Sequence, residues 1–340
     1  MAEIRSLILR LTERCNLRCA YCYAASEREV PDMTAELARY AVELCCPNRG
    51  ELRIQFTGGE PLLALDVMEA VHTFGHETGR RLRLAVQTNA VLLTPDVCRR
   101  LAAIGCAVGV SLDGLEAANV LRRFPDGTPA FSAAVEGIRN LGRCGIFCNL
   151  TTVVTRANAS RLVELPDLAL WLGNVRSVGL DLFRPLGRGA GQELSPEPEE
   201  LEKGLRALCR RTRELRAAGI PFRLREMERL RKRAGCESCN GIYCYAQTDQ
   251  SVAVDGAGDC WPCSSLAGQD GFLVGNLRHG LPKLPVSGLD VPEKCKVCPT
   301  FALCLGGCPA GRTARGNEPD PLTCLMQRVL LEEMKGEKYP

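Results

Sequence analysis

Cysteine constrains this chain more than any other residue type: twenty occur in 340 residues, and no secretory signal precedes them. The N-terminus carries only a short apolar stretch, Leu7 to Leu11, interrupted by Arg10. Where no oxidising compartment is indicated, cysteines in such numbers bind metal more readily than they build a disulfide framework. Their spacing agrees. Cys15, Cys19 and Cys22 form a CxxxCxxC group. Far downstream, Cys244 is followed by thirteen residues, Gly258, four residues and Cys263. Cys295, Cys298, Cys304 and Cys308 then fall at CxxCxxxxxCxxxC spacing, and Cys324 closes the series.

The rest of the composition narrows the setting. With 46% hydrophobic and 24% charged residues the chain reads as an ordinary globular protein, and a net charge of +3 makes no case for nucleic acid. No apolar run approaches the roughly 20 residues a membrane span needs. A soluble, cytoplasmic protein is expected.

Short apolar runs alternate with amphipathic stretches through the first two thirds, the pattern of parallel βαβ units. Six strands are predicted: Ser6 to Leu11, Leu52 to Thr57, Leu82 to Thr88, Ala107 to Leu112, Phe147 to Val154 and Ser177 to Phe183. After the second, Leu62, Leu63, Val67, Ala70, Val71 and Phe74 repeat at helical spacing behind Pro61. The fold class is therefore α/β, a partial (β/α)6 barrel of the TIM type with its active site at the C-terminal strand ends, followed by a small cysteine-rich iron-sulfur domain. We place the barrel at residues 1–200, a basic helical linker at 201–235, and the cysteine-rich domain at 236–340, closed by a helix from Leu322 to Met334. Ten arginines lie between Lys203 and Arg233, either as a solvated helix face or as a docking surface for an acidic peptide or partner.

The three-cysteine loop follows the first strand directly. Three thiolates in one loop hold three irons of a four-iron cluster and leave the fourth open to a small molecule. A zinc site completed elsewhere, or three buried thiols, are the alternatives. Beyond the loop, Thr57-Gly58-Gly59-Glu60-Pro61 ends the second strand, Gln87-Thr88-Asn89 the third, and Ser111-Leu112-Asp113-Gly114 the fourth.

Taken in order, these motifs resemble the radical S-adenosylmethionine (SAM) superfamily, and the wording Cys15-Asn16-Leu17 to Tyr21-Cys22-Tyr23 is similar to its peptide-modifying branch. The resemblance implies a cluster on Cys15, Cys19 and Cys22, with SAM contacts from Tyr21, Gly58, Gly59, Glu60, Gln87, Asn89, Ser111 and Asp113. It also implies reductive cleavage of SAM to a 5'-deoxyadenosyl radical, driven by an external reductant of the flavodoxin or ferredoxin type. The seven C-terminal cysteines resemble the SPASM domain, which implies two auxiliary 4Fe-4S clusters, three in all. One would take Cys295, Cys298, Cys304 and Cys324. The other would take Cys244, Cys263, Cys308 and an upstream cysteine: Cys239 is our choice, and Cys236 and Cys260 compete. Zinc is the structural alternative, and the remaining cysteines read as small buried hydrophobes.

Departures from the family matter as well. Anaerobic sulfatase-maturating enzymes carry an aspartate where this chain has Ser264, and serine without a partner is a poor base. Their His-Asp pair after the fourth strand is Asn119 and Val120 here, although Arg123 fits their following arginine. The first strand begins too early for the leader-recognition domain many peptide maturases carry, which implies a separate peptide-recognition protein or leaderless recognition. The function expected is oxidative modification of a peptide or protein, such as a thioether or carbon-carbon crosslink. A small molecule or tetrapyrrole side chain is the alternative substrate, and a non-catalytic iron-sulfur or zinc scaffold the alternative class. No general base is assigned; Asp181 and Arg184 are candidates by position alone.

Overall fold

Alternating burial along successive strands builds the framework. In the computed structural model, which describes residues 4–25, 28–46, 50–235, 242–282 and 289–336, six parallel strands pair in chain order: β1 (Ser6–Arg10), β2 (Glu51–Thr57), β3 (Arg81–Thr88), β4 (Ala107–Ser111), β5 (Cys148–Val154) and β6 (Val175–Leu182). Leu7, Leu9, Ile54, Phe56, Val86, Val110, Leu150 and Leu180 are buried from one end of this sheet to the other. Helices α1 (Ala35–Cys45), α2 (Leu65–Glu77), α3 (Pro95–Ala103), α4 (Phe131–Arg143) and α5 (Leu165–Leu172) return the chain between strands. Thr34 and Thr94 cap α1 and α3 by accepting from the Leu37 and Val97 amides. All six predicted strands are present. The helix after β2 starts later than its periodicity suggests, because Glu60 accepts from the Leu62 amide and winds Pro61–Ala64 into a 3-10 turn, leaving Leu63 exposed.

The sheet does not end with the barrel. After α6 (Pro198–Ala217), β7 (Arg223–Leu224) pairs with β6, and α7 (Arg225–Ala234) follows. The chain then crosses to the opposite edge, where β8 (Ser251–Val254) pairs parallel with β1. Short antiparallel strands β9 (Asp259–Trp261) and β10 (Gly275–Asn276) complete a ten-stranded sheet in the order β10-β9-β8-β1-β2-β3-β4-β5-β6-β7. The C-terminal helix spans Pro321–Lys335, and Asp320 caps it through the Leu322 and Thr323 amides.

The arginine-rich stretch forms α6 and α7, and much of its charge is met inside the molecule. Arg206 binds Glu332 at 2.6 Å and Glu333 at 3.1 Å on the C-terminal helix, and Arg213 binds Glu333 at 2.6 Å. Arg211 meets Asp167 on α5 at 2.7 Å, and Arg225 meets Asp181 on β6 at 3.0 Å. Arg210, Arg216, Arg223 and Arg229 remain exposed, so part of the stretch is a solvated face as one of the two readings has it. Among the described residues, no helix is long and apolar enough to cross a membrane.

Candidate active site

The three-cysteine loop leaves β1 at Arg10, whose guanidinium grips Glu13 at 2.6 Å. Cys15 is exposed, Cys22 half-buried and Cys19 buried. The Leu17 amide donates to Cys15 Sγ at 3.4 Å, and Arg188 donates to the Cys19 carbonyl at 2.8 Å. Burial pushes the Cys19 thiol up to about 11, while Arg122 beside it works the other way.

Two glycines bring the next loop hard against this one. A Cβ on Gly58 would stand 2.3 Å from the Thr12 carbonyl oxygen, and one on Gly59 would stand 2.2 Å from that of Arg14. Gly58 also holds φ at +143°, where a side chain is strained. Amides of Gly59 and Glu60 donate to the Thr12 and Arg14 carbonyls, sewing the two loops together. The Glu60 carboxylate, 1% exposed, accepts from Thr88 Oγ1 at 2.6 Å, the Asn89 amide at 2.8 Å and the Leu62 amide at 3.2 Å. A carboxylate has about four acceptor positions, so capacity for one more donor remains.

Between these loops lies a cavity of about 140 Å³. Cys15, Cys19, Tyr21, Cys22, Gly58, Gly59, Glu60, Gln87, Asn89 and Ser111 all line it. Gln87 Nε2 donates to Ser111 Oγ at 2.9 Å, and Asn89 reaches Asn16 Oδ1 at 2.8 Å and Cys15 Sγ at 3.8 Å. Asp113 stands behind the lining: one oxygen accepts from the Tyr21 hydroxyl and the other from the Val153 amide at 3.0 Å. Burial raises the Tyr21 hydroxyl, which therefore stays protonated and donates. Arg122, 5% exposed, completes the chain by donating to Tyr21 at 2.7 Å. Sequence reasoning missed Arg122 and favoured Arg123, which is exposed and, among the described residues, bonds through its side chain only the nearby Val120 and Gly127 carbonyls. Nothing local marks which of two adjacent arginines turns inward.

The downstream thiols gather as well. Cys295, Cys298, Cys304 and Cys324 line one cavity of about 280 Å³, with Cys308 at its edge. Cys308 also lies near Cys244 and Cys263, and burial pushes these two thiols up to about 11 and about 12. Cys239 and Cys236 lie outside the described residues. Cys260 packs in the main core, near Cys45, while Cys263 packs with Leu266, Leu289 and Phe272. Cys45, Cys46, Cys98, Cys106, Cys148 and Cys209 are buried, as small hydrophobes would be. Among the described residues no three His, Cys, Asp or Glu side chains close around a single-ion point. The thiols surround cavities instead, a donor set and spacing that fit a multi-iron cluster.

Arg312 was not foreseen. Fully buried, it donates to the carbonyls of Gly306, Gly307, Leu289 and Asp290 at 2.7–3.2 Å and to Asn317 Oδ1 at 3.3 Å. No carboxylate pairs with it among the described residues. Ser264, whose place is an aspartate in sulfatase-maturating enzymes, accepts from Arg10 Nη1 at 3.1 Å. A guanidinium on that oxygen makes it a still poorer base.

Comparison with known proteins adds the wider context. The family model described as the Radical SAM superfamily matches residues 9–169. The chain is 30% identical to an uncharacterized protein of Methanocaldococcus jannaschii over 84% of this chain and 94% of that one. It is 29% identical to an AdoMet-dependent heme synthase of Methanosarcina barkeri, covering 81% of this chain and 80% of that one. A mycofactocin maturase of Mycolicibacterium smegmatis is 27% identical, covering 93% and 81%. Among solved structures, anSMEcpe with bound AdoMet and the Cp18Cys peptide superposes with a TM-score of 0.81 at 23% identity, covering 97% of this chain and 96% of that one. Streptococcus suis SuiB bound to the precursor peptide SuiA superposes at 0.70 and 17% identity, covering 94% and 76%. The partial barrel and its cysteine-rich continuation are thus a shared fold.

Proposed function

The chain belongs to the radical SAM superfamily, and from that premise we propose that it oxidatively modifies a peptide or protein, with two auxiliary clusters accepting an electron from the substrate. The observation that carries this reading is the pairing of one thiol-lined cavity at the strand ends with a second set of thiols, the two joined by a small cavity that Arg184 and Cys308 both line. A net oxidation gives the second set a purpose. The likeness to a mycofactocin maturase over 93% of the chain, and to anSMEcpe and SuiB structures that hold bound peptides, supports the substrate class.

In this reading Cys15, Cys19 and Cys22 hold the catalytic cluster and leave one iron for SAM. When bound, a cluster on these thiolates and SAM would supply reductive cleavage of the SAM sulfonium and, from it, the oxidising power to remove a substrate hydrogen atom. The protein's part is to place these groups. Arg122 favours the Cys19 thiolate against the cost of burial. Glu60 offers its remaining acceptor capacity to the SAM ammonium, and Gln87, Asn89 and Ser111 offer polar atoms to its hydroxyls. Asp113 is a positioning residue, acting through Tyr21. Cys295, Cys298, Cys304 and Cys324 hold one auxiliary cluster, and Cys244, Cys263, Cys308 and Cys239 the other. A reductant of the flavodoxin or ferredoxin type supplies the reducing electron.

A relative at similar identity is a heme synthase, which supports a second reading, oxidation of a tetrapyrrole side chain. One preparation tests what both readings share. Anaerobically reconstituted protein should hold about twelve irons per chain and form 5'-deoxyadenosine in a reductant-dependent way. A variant with Cys15, Cys19 and Cys22 all changed to Ala should keep about eight irons and lose cleavage. Zinc in place of iron, or iron without cleavage, would overturn the catalytic reading.

A further inference from the structure

Two arginines line the catalytic cavity and another, Arg10, is buried at the root of the three-cysteine loop; two of the three have their counter-charge in the protein. Arg10 is held by Glu13 at 2.6 Å, and Arg122 is tied through Tyr21 to Asp113. The third, Arg184, follows β6 with only 16% of its side chain exposed. Its one ionic contact among the described residues is Asp181 at 4.0 Å, and that same carboxylate oxygen is already taken by Arg225 at 3.0 Å. No hydrogen bond to the Arg184 guanidinium occurs among the described residues. A guanidinium has five donors, and leaving them idle in a largely desolvated place is costly.

Position gives the idle donors a meaning. Arg184 lines the catalytic cavity and also a small neighbouring cavity that it shares with Tyr243 and Cys308. Its electrostatic neighbours are Cys308, Asp181, Tyr23 and Cys263, whereas Arg122 is the arginine beside Cys15 and Cys19. Arg184 therefore stands where the Tyr23 side of the catalytic cavity meets the downstream thiols Cys263 and Cys308.

We propose that Arg184 is the substrate-anchoring residue and that the group it binds is a carboxylate, held bidentately between the catalytic cavity and the Cys244, Cys263 and Cys308 thiols. The guanidinium fork matches a carboxylate with two parallel hydrogen bonds, and the enclosed setting strengthens them. The inference rests on the proposed substrate oxidation and adds the chemistry that the substrate must carry. Either source on the page can supply it: an acidic or C-terminal residue of a peptide, or the propionate of a tetrapyrrole.

Two probe pairs test it with the SAM-loaded holoenzyme under anaerobic equilibrium dialysis. One pair is iron coproporphyrin III and its tetramethyl ester. The other is a pool of random octapeptides rich in Asp and Glu and the same pool with Asn, Gln and amidated C-termini. We expect the carboxylate member of one pair to bind about tenfold more tightly than its neutral partner, and Arg184→Gln to abolish the difference. Arg184→Lys should restore part of it, since the charge returns without the fork. The pair that responds identifies the source. Equal binding of charged and neutral members, or no retention of either carboxylate probe, overturns the inference. So does an Arg184→Gln variant that loses SAM affinity to the same degree, which would assign the arginine to the cofactor. Iron content and 5'-deoxyadenosine formation in the same samples report separately on the reaction, so the anchor can fail while the radical chemistry stands.

Discussion

Arg312 shows how a single residue couples the polypeptide to what it binds. Its guanidinium satisfies four backbone carbonyls around the downstream thiols, yet no acidic side chain among the described residues offsets its charge. Burial holds this guanidinium below its ordinary range, while Cys295, Cys308, Cys244 and Cys304 pull it back up. Thiolates loaded with metal would be its counter-ions, lying on both sides of it. Arg312→Met should then cost roughly 3–5 kcal/mol in the iron-loaded protein, since it strands four carbonyls and removes the balancing charge. In iron-free protein the loss should be clearly smaller, because an unpaired buried cation is itself unfavourable. Thermal midpoints of the two forms, each with and without the substitution, decide the matter; equal losses would leave only a structural role. The cysteines around it were legible because ligand spacing is local. Arg312 was not, since its burial is created by the Gly306 and Leu289 segments folding over it.

At the level of elements, the strands were easiest to read because their apolar runs are bounded by turns and alternate with amphipathic helices. The later strands were harder. Ser251–Val254 is four residues long, and what makes it a strand is pairing with Ser6–Leu9, far away in sequence. The arginines of α6 likewise looked unpartnered until the C-terminal helix brought Glu332 and Glu333 alongside. That contact has a consequence for the helix that also bears Cys324. Glu333, with 13% of its side chain exposed, receives both Arg206 and Arg213, whereas Glu332 is 49% exposed and meets Arg206 alone. Glu333→Ala should lower stability by about 1–2 kcal/mol and loosen iron at the Cys324 site, whereas Glu332→Ala should cost less than about 1 kcal/mol. Urea midpoints and iron counts for the two variants give the comparison, and identical behaviour would reduce both to ordinary surface pairs.

The whole molecule divides its stability unevenly along one continuous sheet. Barrel strands bury Leu7, Leu9, Ile54, Phe56, Val110 and Leu150 in a large apolar core. The downstream thiols sit instead among short helices at Glu293–Lys296, Phe301–Cys304 and Pro309–Thr313, with a satellite core formed by Leu266, Leu289 and Ala310. So small a core cannot repay the ordering of its chain, and in the function proposed above metal supplies the difference. Removing iron with a chelator under reducing conditions should therefore act regionally. Amides of β1 to β6 should keep most of their hydrogen-exchange protection, and those of residues 289–324 should lose it by two or more orders of magnitude, about 3 kcal/mol. The strand pair β1 and β8 is the place to read the boundary, because β8 belongs to the barrel by its hydrogen bonds and to the thiol-rich segment by its sequence neighbours Cys244 and Cys263. Protection of Val252 and Val254 that survives chelation would put β8 with the barrel as one cooperative unit. Loss of protection in β1 along with β8 would mean that metal holds the first barrel strand in place, and with it the loop that carries Cys15, Cys19 and Cys22.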